Sequence, residues 1–173
     1  MAPNKGFEPT DSSKIPRYAE IASFMRSARA EIAKPLDIAL VGVPLDLGAT
    51  YRSGARQGPS GVREASRLIR QVNPTTKVVP YRLCNIADVG DAPTHPLSVE
   101  RSVELIQAFY ERIQAIGAVP ISIGGDHTVP LPILRAIASH LGHGPLAPDH
   151  LYGDGMDGPR ICLLYTSPSP RDS

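Results

Sequence analysis

One stretch, Val119–Ala138 (VPISIGGDHTVPLPILRAIA), constrains this chain more than any other. Val119 to Ile123 is an apolar run long enough for a buried strand and too short for a helix. Gly124-Gly125 permits either a left-handed turn or a close approach of two backbones. Thr128 then stands where an N-cap belongs, and Pro130 and Pro132 are tolerable only near a helix start. Leu131, Leu134, Ile137 and Ala138 follow at helical spacing. Strand, tight turn and helix in that order put Asp126 and His127 at the carboxyl end of a central strand, where open α/β sheets bind ligands. Neutral imidazole is a metal ligand, and an adjacent carboxylate can orient it or bind beside it. A solvated turn histidine, or a core histidine with satisfied hydrogen bonds, explains the same pattern, and spacing alone favours those two.

The remaining chain fits the same layout. Asp37–Val43 (DIALVGV) is a buried strand ended by Pro44, Tyr81–Val89 a second strand, and Val119–Ile123 the third. Between them the spacing predicts a helix from Pro59-Ser60 to Ile69, with Val62, Ala65, Leu68 and Ile69 inward. It predicts another from Ser98 to Ile116, with Val99, Val103, Ile106, Phe109, Tyr110 and Ile113 on one face and Gly117 closing it. A third runs from Leu131 to His140, and a short amphipathic helix is expected over Tyr18–Ala33 on Ile21, Phe24, Met25, Ala28 and Ile32. Strands alternating with helices, each strand almost continuously apolar, mean an α/β protein with a mainly parallel sheet.

Two further segments carry polar residues of interest. The glycine-rich loop Leu45–Pro59 holds Asp46, Arg52 and Arg56 at the end of the first strand, a usual place for function, although a scaffold or inter-subunit role suits the arginines better. Asp88 and Asp91 read as turn formers after the second strand.

The chain has 173 residues, 42% hydrophobic and 20% charged, which is the composition of a globular domain. A formal net charge of +1 gives no electrostatic case for nucleic acid or an anionic membrane. The two cysteines, Cys84 and Cys162, form no metal-finger spacing or disulfide framework. No secretory h-region and no membrane-length apolar run is present, so the expected location is cytoplasmic.

Three motifs in order, GVPLDLGATYRSGARQGPSGVR, CNIADVGDAP and PISIGGDHTVPLPILRAI, resemble the first half of the ureohydrolases, closest to the agmatinase and guanidinobutyrase branch and further from arginase. The likeness covers about Ile15 to Ala138. It implies a three-layer α/β/α fold with a mainly parallel sheet, of which this chain would hold the N-terminal part. It also implies a binuclear Mn2+ centre, hydrolysis of a guanidino compound to an amine and urea, and a homo-oligomer, trimer or hexamer, in the complete enzyme. By that match His127 is a metal ligand and Asp126 a neighbour that supports it. No catalytic or substrate-binding residue is assigned. The chemistry suits the metals: a guanidinium carbon is a poor electrophile, and two divalent ions sharing a bridging water lower its pKa enough to supply hydroxide.

The likeness implies further ligands on the next strand, in an Asp-x-His-x-Asp motif. There the chain reads GPLAPDHLYGDGMDGPR, with Tyr152, Asp154 and Met156 in the ligand places and Pro148 interrupting the strand. Asp149, His150, Asp154 and Asp157 are ligand types at the wrong spacing, best read as a polar, turn-rich tail. The final ICLLYTSPSPRDS resembles read-through into adapter or vector sequence. The expected organisation is therefore a flexible arm over residues 1–16, the first part of a ureohydrolase domain over 17–146, and an aberrant tail over 147–173. One other reading is a non-catalytic α/β module binding anions or nucleotides at the Gly124-Gly125 turn, although no Gly-x-Gly-x-x-Gly or Walker pattern is present. Another is a subunit that packs into oligomers without chemistry of its own.

Overall fold

A computed structural model describes residues 7–142 and the backbone of residues 163–165. Five parallel strands form one sheet in the order β1-β3-β2-β4-β5. They are β1 (Ala28–Arg29), β2 (Ile38–Val43), β3 (Ile86–Asp91), β4 (Val119–Gly124) and β5 (Leu163–Tyr165). β2 is central, pairing with β4 from Ile38↔Val119 to Val43↔Gly124 and with β3 from Ile38↔Ile86, with one register shift between Leu40 and Gly42. The three long helices are α1 (Gly58–Ala65), α2 (Val99–Ala115) and α3 (Pro130–His140).

β2 is apolar throughout because both of its faces are covered. Successive side chains point to opposite faces. Ala39, Val41 and Val43 join a core with Ile106, Tyr110 and Ile113 of α2 and Ile133, Ala136 and Ile137 of α3. Leu40 joins a second core with Phe24, Ile86 and Ile123, closed by Val62 of α1 and by Tyr81. Helices thus lie on both sides of the sheet, giving the three-layer α/β/α arrangement expected.

The ends of α2 match its sequence signals. Ser98 Oγ accepts the Arg101 N–H at 3.1 Å, Glu100 lies in the positive first turn, and Gly117 takes φ 77° just past the end. The buried stripe also contains Ser102, whose hydroxyl bonds the carbonyls of Ser98 (2.7 Å) and His95 (3.1 Å). Tyr110 and Ser122 join α2 to β4 through a buried hydroxyl pair at 2.6 Å, and burial pushes the Tyr110 phenol well above its ordinary pKa.

Several local expectations are corrected. Tyr18–Ala33 is not a helix: a 3-10 turn at Phe24–Arg26 and the short strand β1 replace it. Met25 and Arg26 sit at φ 52° and 57°, a left-handed conformation costing about 1–2 kcal/mol per residue. Burial of Phe24, worth about 2–3 kcal/mol, offsets that cost together with its N–H bond to the Asp88 carboxylate at 3.0 Å. Helix propensity differences of at most ~0.7 kcal/mol per residue cannot compete. The helix expected to reach Ile69 ends at Ala65, and a 3-10 turn over Ser66–Leu68 leaves Ala65, Leu68 and Ile69 exposed rather than inward. In α3 the buried stripe falls on Pro132, Ile133, Ala136, Ile137 and Ala138, and Leu131 and Leu134 are half-buried. The second strand starts at Ile86, since Pro80–Arg82 forms a 3-10 turn.

The expected arm over residues 1–16 is described from Phe7, which packs against the α2–α3 core, and Thr10 accepts a bond from Arg26 at 3.1 Å through its carbonyl. Of the expected tail over 147–173 only the β5 backbone is described, paired with Ser122–Gly124. Asp149, His150, Tyr152, Asp154, Met156, Asp157 and Cys162 lie outside the described residues. Among the described residues no helix is long and apolar enough to cross a membrane.

Replacing Tyr110 by Phe removes the partner of the buried Ser122 hydroxyl. Urea denaturation of Tyr110→Phe is expected to show a loss of about 1–2 kcal/mol. Leu97→Ala, at an 87% exposed position, should stay within about 0.5 kcal/mol of wild type.

Candidate functional site

The carboxyl ends of β2, β3 and β4 form one rim, and each is held by a buried or half-buried carboxylate. At the end of β4 the chain turns through Gly124-Gly125 into Asp126. Neither glycine has a positive φ; what the site requires is close approach. A Cβ on Gly125 would overlap the Leu45 carbonyl, and one on Gly124 would crowd Val129 at 3.2 Å. That closeness lets Asp126 N–H donate to the Leu45 carbonyl at 2.7 Å, joining the β4 turn to the loop after β2.

Both oxygens of Asp126 are in use. Oδ1 accepts the Thr128 N–H at 2.8 Å, and Oδ2 accepts the Gly48 N–H at 2.6 Å. Thr128 does not cap α3 as its position suggested. Val129 occupies the N-cap without a side-chain bond, and Asp126 closes the preceding turn. The positive end of α3 thus faces the chain's own carboxylate, which argues against an anion cradle at Gly124-Gly125. His127 is exposed at this rim, one residue beyond the turn.

The loop after β2 is shaped by Asp46, whose side chain is fully buried. Its Oδ2 accepts the Gly54 N–H at 2.7 Å and its Oδ1 accepts Arg56 Nε–H at 2.6 Å; Arg56 Nη2 also pairs with it. The Arg56 hydrogen bond outweighs burial and holds the Asp46 carboxyl below the usual carboxylate range. Arg56 therefore serves the loop's own architecture. Arg52 lies over the Tyr51 ring at 5.3 Å on the exposed crest.

Asp88 and Asp91 stand within β3 and not after it, although Asp88 Oδ1 does accept the Gly90 N–H at 2.9 Å, a turn-type bond inside the strand. Asp88, 1% exposed, takes Arg63 Nε (2.8 Å) and Nη2 (3.0 Å) in a bidentate pair, while Asp91 takes Arg63 Nη1 at 2.7 Å. Arg63 also stacks on Phe24 at 3.9 Å. Burial opposes the Arg63 charge, but bonds to Asp88 and Asp91 outweigh it and raise its pKa. Sequence reasoning passed over Arg63. A single acid inside a buried strand was the available signal, since such a carboxylate needs a cationic or multi-donor partner.

Among the described residues no three His, Cys, Asp or Glu side chains come together as a possible metal site. His127 is one candidate donor, and the Asp126 oxygens already serve backbone amides. The described residues alone do not build a binuclear centre.

A parallel sheet with helices on both faces and its polar groups gathered on the carboxyl rim is the layout of an α/β enzyme-type domain. The sequence profile described as the arginase family matches residues 36–148. Guanidinopropionase of Pseudomonas aeruginosa is 44% identical over 130 residues, covering 75% of this chain and 41% of that protein. Among solved structures, proclavaminate amidino hydrolase from Streptomyces clavuligerus superposes with a TM-score of 0.69 at 36% identity, covering 76% of this chain and 43% of that one. Trypanosoma cruzi formiminoglutamase, solved with Mn2+, superposes with a TM-score of 0.54 at 27% identity, covering 61% of this chain and 36% of that one. The chain belongs to the arginase family. It spans half or less of the length of the curated relatives it matches.

Two outcomes test the rim. Gly125→Ala forces backbone against backbone at Leu45 and should cost about 3 kcal/mol in chemical denaturation. A smaller change than in Gly61→Ala, where an added Cβ meets open space, would contradict the close approach. Because the Asp46 pKa is lowered on folding, its contribution is complete above the unfolded value of about 3.9 and is lost as pH falls through the lower folded value. Stability of Asp46→Asn should therefore fall less steeply than wild type below about pH 4, read by denaturation midpoints across the acid range.

Proposed function

We propose that this chain is part of a manganese-dependent amidinohydrolase that converts a guanidino compound to an amine and urea, with His127 as one of its metal ligands. Asp126 supports that histidine without ligating. The observation that carries the reading is the use of both Asp126 oxygens by the Gly48 and Thr128 amides. A carboxylate so engaged fixes a turn, and the turn it fixes presents His127 at the carboxyl rim. The names of the relatives support the reaction class, and the formiminoglutamase structure with Mn2+ supports the metal. On this reading the remaining donors of the pair come from outside the described residues.

The substrate is a small guanidino compound such as agmatine, guanidinobutyrate, guanidinopropionate or free guanidine. Tyr51, on the exposed loop crest, stands where many agmatinase-like chains carry asparagine, which weighs against simple transfer of agmatine specificity. The complete protein, as proposed, acts in the cytoplasm as a trimer or hexamer. On this reading the 173-residue chain, to which the resemblance assigns the single ligand His127, is inactive by itself.

The test uses a complete arginase-family protein carrying these residues. His127→Ala is expected to lower bound manganese, measured by elemental analysis, and to cut urea release by at least about 100-fold. Unchanged metal content and turnover would remove His127 from the site. The 173-residue chain with manganese should release no urea above a no-enzyme control. Release that His127→Ala abolishes would overturn the inactive reading.

A further inference from the structure

The loop from Asp46 to Arg56 is an arch with two fastenings. At its base Asp46 gathers the Gly54 and Arg56 ends: Oδ2 accepts both backbone N–H groups (2.7 and 3.4 Å), and Oδ1 takes the Arg56 guanidinium. The Ala49 N–H also bonds the Asp46 carbonyl at 3.2 Å. On its inner side Gly48 meets the β4 turn, donating its N–H to Asp126 Oδ2. A Cβ on Gly48 would meet Thr128 Oγ1 and lie 3.0 Å from Asp126 Oδ2, so the arch sits directly against the turn that carries His127.

We propose that Asp46 is a positioning residue for the β4 turn: by closing the base of the arch it sets the place of the Gly48 N–H, and through Asp126 it fixes the bearing of residue 127. The functional consequence rests on the reading of His127 as a metal ligand; the coupling itself does not.

A buried carboxylate is unfavourable unless its oxygens are satisfied, so Asp46 imposes a definite geometry on the donors around it. Those donors lie eight and ten residues along the chain, which makes the carboxylate the closure of the whole arch and not of a local turn. The other fastening, Gly48 to Asp126, spans 78 residues of sequence and links the arch to the turn after the neighbouring strand β4. Shifting the arch by an ångström would break a 2.6 Å bond and leave the Asp126 carboxylate with the Thr128 N–H, a looser hold on the turn beside its own N–H bond to Leu45.

Amide hydrogen exchange on the full 173-residue chain tests this without metal or substrate. In Asp46→Asn, exchange should accelerate about tenfold or more at Gly54 and, by transmission, at Gly48 and Thr128, while Ile106 and Tyr110 in α2 keep their protection. Coupling is reciprocal, so Asp126→Asn must also accelerate exchange at Gly54. Faster exchange at Gly54 with Gly48 and Thr128 unchanged would confine Asp46 to its own loop and overturn the proposal. If Asp46→Asn loses protection throughout, α2 included, the milder Arg56→Gln variant decides on the same amides. Loss of coupling leaves the metal role of His127 standing, and a His127→Ala protein that keeps its metal leaves the coupling standing, so the two failures are separable.

Discussion

The structure depends on one close approach, the β4 turn laid against the Leu45 backbone. Gly125 has no room for a Cβ there, and the Asp126 N–H to Leu45 carbonyl bond is formed because that room is absent. Two loops that follow adjacent parallel strands are thereby made one body. Such loops ordinarily move independently, since each is tied only to its own strand and helix. Here the sheet places β2 and β4 side by side in full register, and the glycine turns that adjacency into a rigid corner.

Around this corner the chain uses carboxylates repeatedly, Asp46 and Asp88 buried, Asp126 half-buried and Asp91 exposed. Asp46 shapes the arch, Asp126 joins arch to turn, and Asp88 with Asp91 fixes Arg63 between the N-terminal segment and β3. A buried ion pair adds little net stability compared with apolar packing, but breaking one by removing a partner costs about 3–5 kcal/mol. The pattern therefore serves definition of geometry more than stability. The apolar cores above and below the sheet hold the layers together, and the carboxylates determine where the loops stand on the rim.

The layers were legible in the sequence because both helix and strand periods were strong. The run IALVGV, the Ser98 cap with Gly117 behind α2, and the prolines at the start of α3 each carry a local physical signal that survives in the fold. What failed was decided by distant partners. Phe24 looked like one member of a helical stripe, yet its N–H is claimed by Asp88, 64 residues away, and the left-handed turn beside it follows from that anchorage. Asp88 itself looked like a turn residue because its partner, Arg63, lay 25 residues earlier on an unremarked helix face. At the rim, the choice of close approach over positive φ at Gly124-Gly125 was open until the position of Leu45 was known. The placement of His127 at the end of a strand was legible, but the use of both Asp126 oxygens was not, since one donor belongs to Gly48.

The division of labour at the rim follows from these distances. A carboxylate adjacent to a candidate metal ligand is ambiguous in sequence, because it can ligate, orient its neighbour or close a turn. Its hydrogen-bond partners bear on that choice. With Oδ1 on Thr128 and Oδ2 on Gly48, Asp126 gives its strongest directions to two backbone amides that define the turn. A metal approaching either oxygen would have to share it with an amide that holds the arch or the start of α3. Conversely, a histidine on a turn fixed from two sides has its backbone position set without a large core of its own around it. On the proposed reading of His127 as a metal ligand, that suits a site whose other donors come from elsewhere in the fold: each contributor must hold its place before the others arrive, because positional freedom in one ligand is lost affinity for the whole set.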